Sequence, residues 1–209
     1  MRTRVKICGI TRTQDAHLAV DAGVDAIGLV FYEKSPRFVS NLMAKEISQD
    51  IPAFVSCVAL FKDAGEQAIR SVLDMVAIDL IQFHGSESAE FCEQFGRPYI
   101  KALGMKGPEC DASYLRENVS CYQSAKALLL DSHAPGMAGG TGETFDWSMI
   151  GSIDKPMILA GGLTVDNVKQ AIDVTHPFAV DVSSGVESVP GIKDEIKVQR
   201  FMQQVSAAV

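Results

Sequence analysis

The chain has 209 residues, 47% hydrophobic and 22% charged, with a formal net charge of −7. That balance excludes disorder, supplies one sizeable core, and argues against nucleic acid or an anionic membrane as the partner. Five cysteines, an odd number with no C-x-x-C pair, exclude a disulfide framework and a cysteine zinc site and point to a reducing compartment. Met1 to Gly9 holds no apolar leader core, and no stretch reaches the length of a membrane span, so the expectation is a soluble cytoplasmic protein.

Along the chain, short apolar runs alternate with segments of helical periodicity. Val5–Cys8 reads as a first strand, and Ala16, Ala19, Val20 and Gly23 fall on one helix face. Ala26–Phe31 reads as a second strand, followed by a weaker helix near Leu42–Asp50, and Phe54–Phe61 as a third, followed by Ile69, Val72, Leu73 and Val76 on one face. Leu80–Phe83 is a fourth strand with Phe91, Cys92 and Phe95 on the next helix, and Pro98–Leu103 a fifth before a poorly patterned helix near Asp111–Asn118. Ala127–Asp131 is a sixth strand, and a Gly-, Ala- and Pro-rich loop runs from Ser132 to about Asp146. Pro156–Ala160 is a seventh strand, with Thr164 as the cap of the helix after it; Phe178–Val182 is an eighth, before a last stripe of Val198, Phe201, Met202 and Val205. Eight β-α units with buried, β-branched strands predict one (β/α)8 barrel (TIM barrel) spanning residues 1–209, with little room for extra elements.

The active site of such a barrel lies at the C-terminal ends of its strands. Gly161-Gly162 after the seventh strand and Ser184-Gly185 after the eighth are placed to cradle a phosphate with backbone N–H groups. Asp131 closes a very apolar strand, which predicts a raised pKa and a general acid; the plain alternative is a capping carboxylate. Cys8 ends the first strand beside a glycine, whereas Cys57 and Cys92 read as small buried apolar groups. Lys6 shares the face of Cys8 one layer deeper and is expected to lower the thiol pKa, to form a structural ion pair, or both. Arg37, stiffened by Pro36, fits a substrate carboxylate clamp. His84 reads as a neutral hydrogen-bonding group, not a metal ligand, and Gln82 as a residue lining the interior. Gly139-Gly140-Thr141-Gly142 is no P-loop, since no G-K-[ST] follows, and fits a loop over the site returned by Phe145-Asp146-Trp147.

These segments, with Lys6-Ile7-Cys8-Gly9-Ile10-Thr11, Ser35-Pro36-Arg37, Gln82-Phe83-His84-Gly85, Leu159 to Leu163 and Asp181 to Glu187, resemble the phosphoribosylanthranilate isomerase family. They span nearly the whole chain in the family's order; one departure is Phe83, where leucine is usual. The resemblance implies an Amadori rearrangement of an aminoaldose phosphate in tryptophan biosynthesis, without cofactor or metal. It implies Cys8 as general base, Asp131 as general acid, Arg37 on the anthranilate carboxylate, Gly162, Ser184 and Gly185 on the phosphate, and Asp181 as a substrate hydrogen-bond acceptor.

Three other readings compete. The Amadori enzyme of histidine biosynthesis places aspartate at the end of the first strand and shows a repeat between its halves; Cys8 and the missing repeat disfavour it. A metal-dependent pentose-phosphate epimerase needs histidines and aspartates ending several strands, and only His84 qualifies. A non-catalytic phosphosugar-binding barrel has no use for a Cys8/Asp131 pair. A closed barrel with an amphipathic last helix favours a monomer over a homodimer.

Overall fold

The structure, a computed structural model, describes residues 2–107, 110–133, 144–150 and 153–208. Its strands are β1 (Arg4–Cys8), β2 (Ala26–Val30), β3 (Ser56–Phe61), β4 (Leu80–Phe83), β5 (Tyr99–Gly104), β6 (Ala127–Asp131), β7 (Met157–Leu159) and β8 (Ala179–Val182). All pair in parallel, in chain order, and β8 closes on β1 through Lys6↔Asp181 and Ile7↔Val182. The helices are α1 (Thr13–Asp21), α2 (Asn41–Gln49), α3 (Glu66–Met75), α4 (Ala89–Glu93), α5 (Ala112–Cys121), α6 (Val168–Thr175) and α7 (Glu195–Ser206). The chain is therefore a (β/α)8 barrel, as its alternating pattern predicts.

Strand alternation sorts the side chains. In β6, Leu128 and Leu130 point outward to the helices, while Ala127, Leu129 and Asp131 point inward. The floor of the barrel is apolar, built from Ile100, Ala102, Ala127, Leu129, Ile158, Ala160 and Ala179. Lys6, Gln82, Asp131 and Asp181, all buried, collect toward the C-terminal ends of their strands. Outside, Phe61, Phe83 and Phe201 are fully buried between strands and helices. Each such side chain contributes about 1.5–3 kcal/mol by leaving water.

Side-chain caps start several helices where periodicity is weak. The Ser40 hydroxyl accepts from Met43 N at 3.3 Å, and Asp111 accepts from Ser113 N at 2.8 Å and Tyr114 N at 3.1 Å.

Five expectations need correction. The third strand begins at Ser56; Phe54 stands fully exposed with φ 74°, so its apolar character continues no strand. Gly23 lies beyond the end of α1 with φ 87°, in the turn, so the buried stripe of that helix is Ala16 and Ala19. The helix after β7 begins at Val168. Thr164 instead accepts from Asp166 N at 3.2 Å in a preceding turn. Among the described residues the β6–β7 connection holds a 3₁₀ turn at Trp147–Met149 in place of an α-helix. An extra antiparallel hairpin, β9 (Glu187–Val189) with β10 (Ile192–Lys193), follows β8.

Candidate active site

A cavity of about 190 Å³ opens at the C-terminal mouth of the barrel. Cys8, Arg37, Gln82, His84, Asp131, Gly161, Gly162, Asp181 and Ser184 all line it. The Gly139–Gly142 run lies outside the described residues.

On one side, Lys6 Nζ donates to Asp181 Oδ1 at 3.0 Å, both buried, across the β1–β8 seam. Cys8 is the next inward residue above Lys6 and pairs in register with Gly28 of β2. A Cβ on Gly28 would stand 2.8 Å from Cys8 Sγ and 3.0 Å from Lys6 Nζ, so the thiol and the ammonium occupy the space a side chain there would take. Burial pushes the Cys8 thiol up; Lys6 and Lys193 pull it down, Asp181 adds to the rise, and the net shift is upward. Lys6 thus acts in the expected direction and forms the expected ion pair, but it does not leave the thiol below its ordinary value. Asp181, also buried, is raised by burial against the pull of Lys6.

On the opposite side stands Asp131. Burial pushes its carboxyl up, as the sequence suggests, yet hydrogen bonding and charge from His84, with His133, hold it below the usual carboxylate value. The expected neutral acid is thus an ionised one, because imidazoles reach it that strand periodicity does not reveal. His84 Nε2 lies 3.3 Å from Asp131 Oδ2 and 2.9 Å from His133 Nε2, and His133 Nε2 is 3.9 Å from the same oxygen. Gln82 Nε2 sits 3.0 Å from His84 Nδ1 and orients the ring. Asp131 Oδ1 and Gln82 Oε1 are buried without a hydrogen-bond partner among the described residues.

The rim is built by β7, β8 and the hairpin. Gly161 and Gly162 turn the chain with φ 82° and 64°, a conformation that favours glycine. Ser184 opens a 3₁₀ turn, Ser184–Val186, and Gly185 packs so closely on Leu163 O that a Cβ would collide with that backbone. Gly185 therefore joins the β7 and β8 loops rather than lining the cavity. Arg37 donates from Nε and Nη2 to the two Glu187 oxygens, each at 2.8 Å. Lys193 Nζ donates to Glu187 Oε1 at 2.8 Å, Cys8 O at 2.7 Å and Ser183 O at 3.2 Å. Glu187 and Lys193 thus tie the ends of β1 and β8 to the Arg37 loop.

Sequence reasoning missed Gly28, His133 and Lys193. A glycine inside an apolar strand signals close approach of another group, so Gly28 was detectable. Lys193 has no local signal, since its partners lie up to 185 positions away.

A buried thiol and a buried carboxylate face one cavity under a glycine- and serine-rich rim, which defines a (β/α)8-barrel enzyme equipped for general acid–base chemistry. The family model described as N-(5'phosphoribosyl)anthranilate (PRA) isomerase matches residues 5–204. The N-(5'-phosphoribosyl)anthranilate isomerase of Stutzerimonas stutzeri is 52% identical over 207 residues, covering 99% of this chain and 98% of that one. The phosphoribosyl anthranilate isomerase crystal structure from Thermotoga maritima superposes with a TM-score of 0.86 at 38% identity, covering 98% and 99% of the two chains. A phosphoribosyl anthranilate isomerase crystal structure in complex with reduced 1-(o-carboxyphenylamino)-1-deoxyribulose 5-phosphate gives 0.82 at 36% identity with the same coverage. This chain belongs to the N-(5'-phosphoribosyl)anthranilate isomerase family.

Proposed function

We propose that this chain converts N-(5'-phosphoribosyl)anthranilate to 1-(2-carboxyphenylamino)-1-deoxyribulose 5-phosphate, with Asp131 as general acid and Cys8 as general base. The observation that carries these roles is the placement of both groups, on β6 and β1, around one cavity. Opening the furanose requires a proton on the ring oxygen as the C–O bond breaks, and Asp131, once protonated in the substrate complex, supplies it. The resulting protonated imine acidifies the C2′–H. Cys8 Sγ, as thiolate, removes that proton and leaves an enolamine, which tautomerises to the ketone.

The other residues bind and orient. Arg37 takes the anthranilate carboxylate through Nη1, which carries no hydrogen bond among the described residues while Nε and Nη2 are held by Glu187. Gly161, Gly162 and Ser184 present the phosphate cradle, with Gly185 fixing its two loops together. Gln82 and His84 orient Asp131, and Asp181 accepts a hydrogen bond from the sugar. All of these groups belong to one chain, so a monomer is a complete catalytic unit; light scattering on the purified protein tests that state. No disulfide joins the described cysteines and no described helix is long and apolar enough to cross a membrane; a cytoplasmic setting is part of this proposal. Turnover of N-(5'-phosphoribosyl)anthranilate, followed by anthranilate fluorescence, tests the reaction, and absence of turnover in folded protein sinks it.

A further inference from the structure

Two imidazoles and a carboxylate converge beside the cavity with their donor atoms facing one another. The separations are 2.9 Å between His84 Nε2 and His133 Nε2, 3.3 Å from His84 Nε2 to Asp131 Oδ2, and 3.9 Å from His133 Nε2 to the same oxygen. A single proton on His84 Nε2 can serve the contact to His133 or the one to Asp131, but it fully serves only one of them. A proton on both nitrogens sets two donors against each other. The unpartnered Asp131 Oδ1 shows that the carboxylate remains short of donors among the described residues.

A metal ion accepts all three lone pairs at once. Zn²⁺ bound tetrahedrally at about 2.0–2.1 Å holds its donor atoms roughly 3.3 Å apart, the middle of the range seen here. Two histidines and one carboxylate also form the ligand set of zinc sites that leave a fourth position open. Imidazole donors favour Zn²⁺, Cu²⁺ or Ni²⁺ over Mg²⁺ or Ca²⁺. A second shell is present in Gln82. With its amide turned, the now unpartnered Oε1 accepts from His84 Nδ1–H and directs the Nε2 lone pair into the cluster. The cavity, which His84 and Asp131 line, gives the ion a path from solvent.

We propose that His84, His133 and Asp131 form a binding site for a borderline transition-metal ion, Zn²⁺ foremost, at the mouth of the barrel. The three donor atoms lie within 4.8 Å of one another. No spacing motif announces the site, because His84 and His133 are 49 positions apart. An ion held there occupies the Asp131 oxygen that the proposed reaction needs for its proton, so the site is inhibitory; that consequence alone rests on the function proposed above.

The test uses the full chain with Cys121→Ser, which removes the exposed thiol. Co²⁺ is titrated while its visible d–d absorption is followed, then displaced by Zn²⁺, with calorimetry giving stoichiometry and affinity. One ion per chain is expected, with the strong visible bands of a tetrahedral site and no thiolate charge-transfer band. His133→Asn, checked for native circular dichroism, should weaken binding by more than about 100-fold, beyond the 10–100-fold that losing an outer-shell partner costs. His84→Gln serves as the second ligand variant if His133→Asn unfolds. Equal affinity in wild-type and ligand variants overturns the site, as does a thiolate band that moves the ion to Cys8, or no binding at about 100 µM Zn²⁺. These readouts need no turnover, so they stand apart from the fate of the proposed reaction. In the assay itself, Zn²⁺ should inhibit the wild type reversibly by chelator, and His133→Asn should resist it.

Discussion

Gly28→Ala tests whether the cavity positions its thiol through the neighbouring strand. The added Cβ would lie 2.8 Å from Cys8 Sγ, 3.0 Å from Lys6 Nζ and 3.1 Å from Cys8 Cα. Carbon contacts settle near 3.5–4.0 Å, so the thiol must retreat by about 0.7 Å or more. The backbone cannot absorb this, because Cys8 and Gly28 are register partners in a closed barrel. Overpacking of this kind costs about 1–3 kcal/mol of stability, which lowers Tm by roughly 2–10 °C for a chain of this size. Misplacement of a reacting group by about 1 Å costs on the order of 100-fold in rate, so kcat should fall by about 10–100-fold with little change in KM. The assay is turnover of N-(5'-phosphoribosyl)anthranilate by fluorescence, run beside thermal melts. In a Cys8→Ser background the same substitution should cost almost nothing further in kcat, since the reacting group it displaces is already lost, while the melting-temperature cost from Lys6 Nζ and the Cys8 backbone remains. A Gly28→Ala variant with wild-type kcat, or one whose full kcat penalty persists without the thiol, refutes the reasoning.

Cys8→Ser and Asp131→Asn should each lower kcat by about 10²–10⁴-fold with native circular dichroism; a Cys8→Ser variant that keeps most of its activity moves the base to Asp181. Asp181→Asn removes a negative charge that raises the Cys8 thiol and frees Lys6 to act on it. The pH profile of iodoacetamide alkylation at Cys8 should therefore shift to lower pH, and an unchanged or upward-shifted profile contradicts that electrostatic account. Arg37→Ala should cost about 2–4 kcal/mol of transition-state stabilisation, read as kcat/KM. Unchanged kcat/KM would leave Arg37 only its structural pairing with Glu187.

The barrel was legible because its signal is local: each strand is a short apolar run, and β4 and β6 fall on the predicted residues. Boundaries failed where an apolar residue sits outside an element, as Phe54 does, or where a polar turn precedes a helix, as at Thr164. The cavity residues were legible from a rule of position, that the ends of barrel strands face the site. Their charge states were not. Asp131 lies in an apolar strand, and from the strand alone burial decides its pKa. The two imidazoles that reverse the sign come from the β4 end and from the position two residues after Asp131. The hairpin was missed for a related reason: Lys193 earns its place through Glu187, Cys8 O and Ser183 O, contacts between segments far apart in the chain.

Together the two shifts put the resting protons in the reverse of the places that the proposed acid and base roles require. Burial keeps the Cys8 thiol protonated, while His84 and His133 keep Asp131 ionised. An anionic substrate changes both groups in the same direction, since added negative charge raises a carboxyl and a thiol alike. The surroundings then separate them. Cys8 has Lys6 beneath it and the Lys193 ammonium bonded to its own carbonyl, two cations that oppose the rise. Asp131 is held down instead by His84, His133 and the Ser132 backbone amide. Lysine stands at the thiol and histidine at the carboxylate, so the two sides of the cavity meet the same added charge with different surroundings.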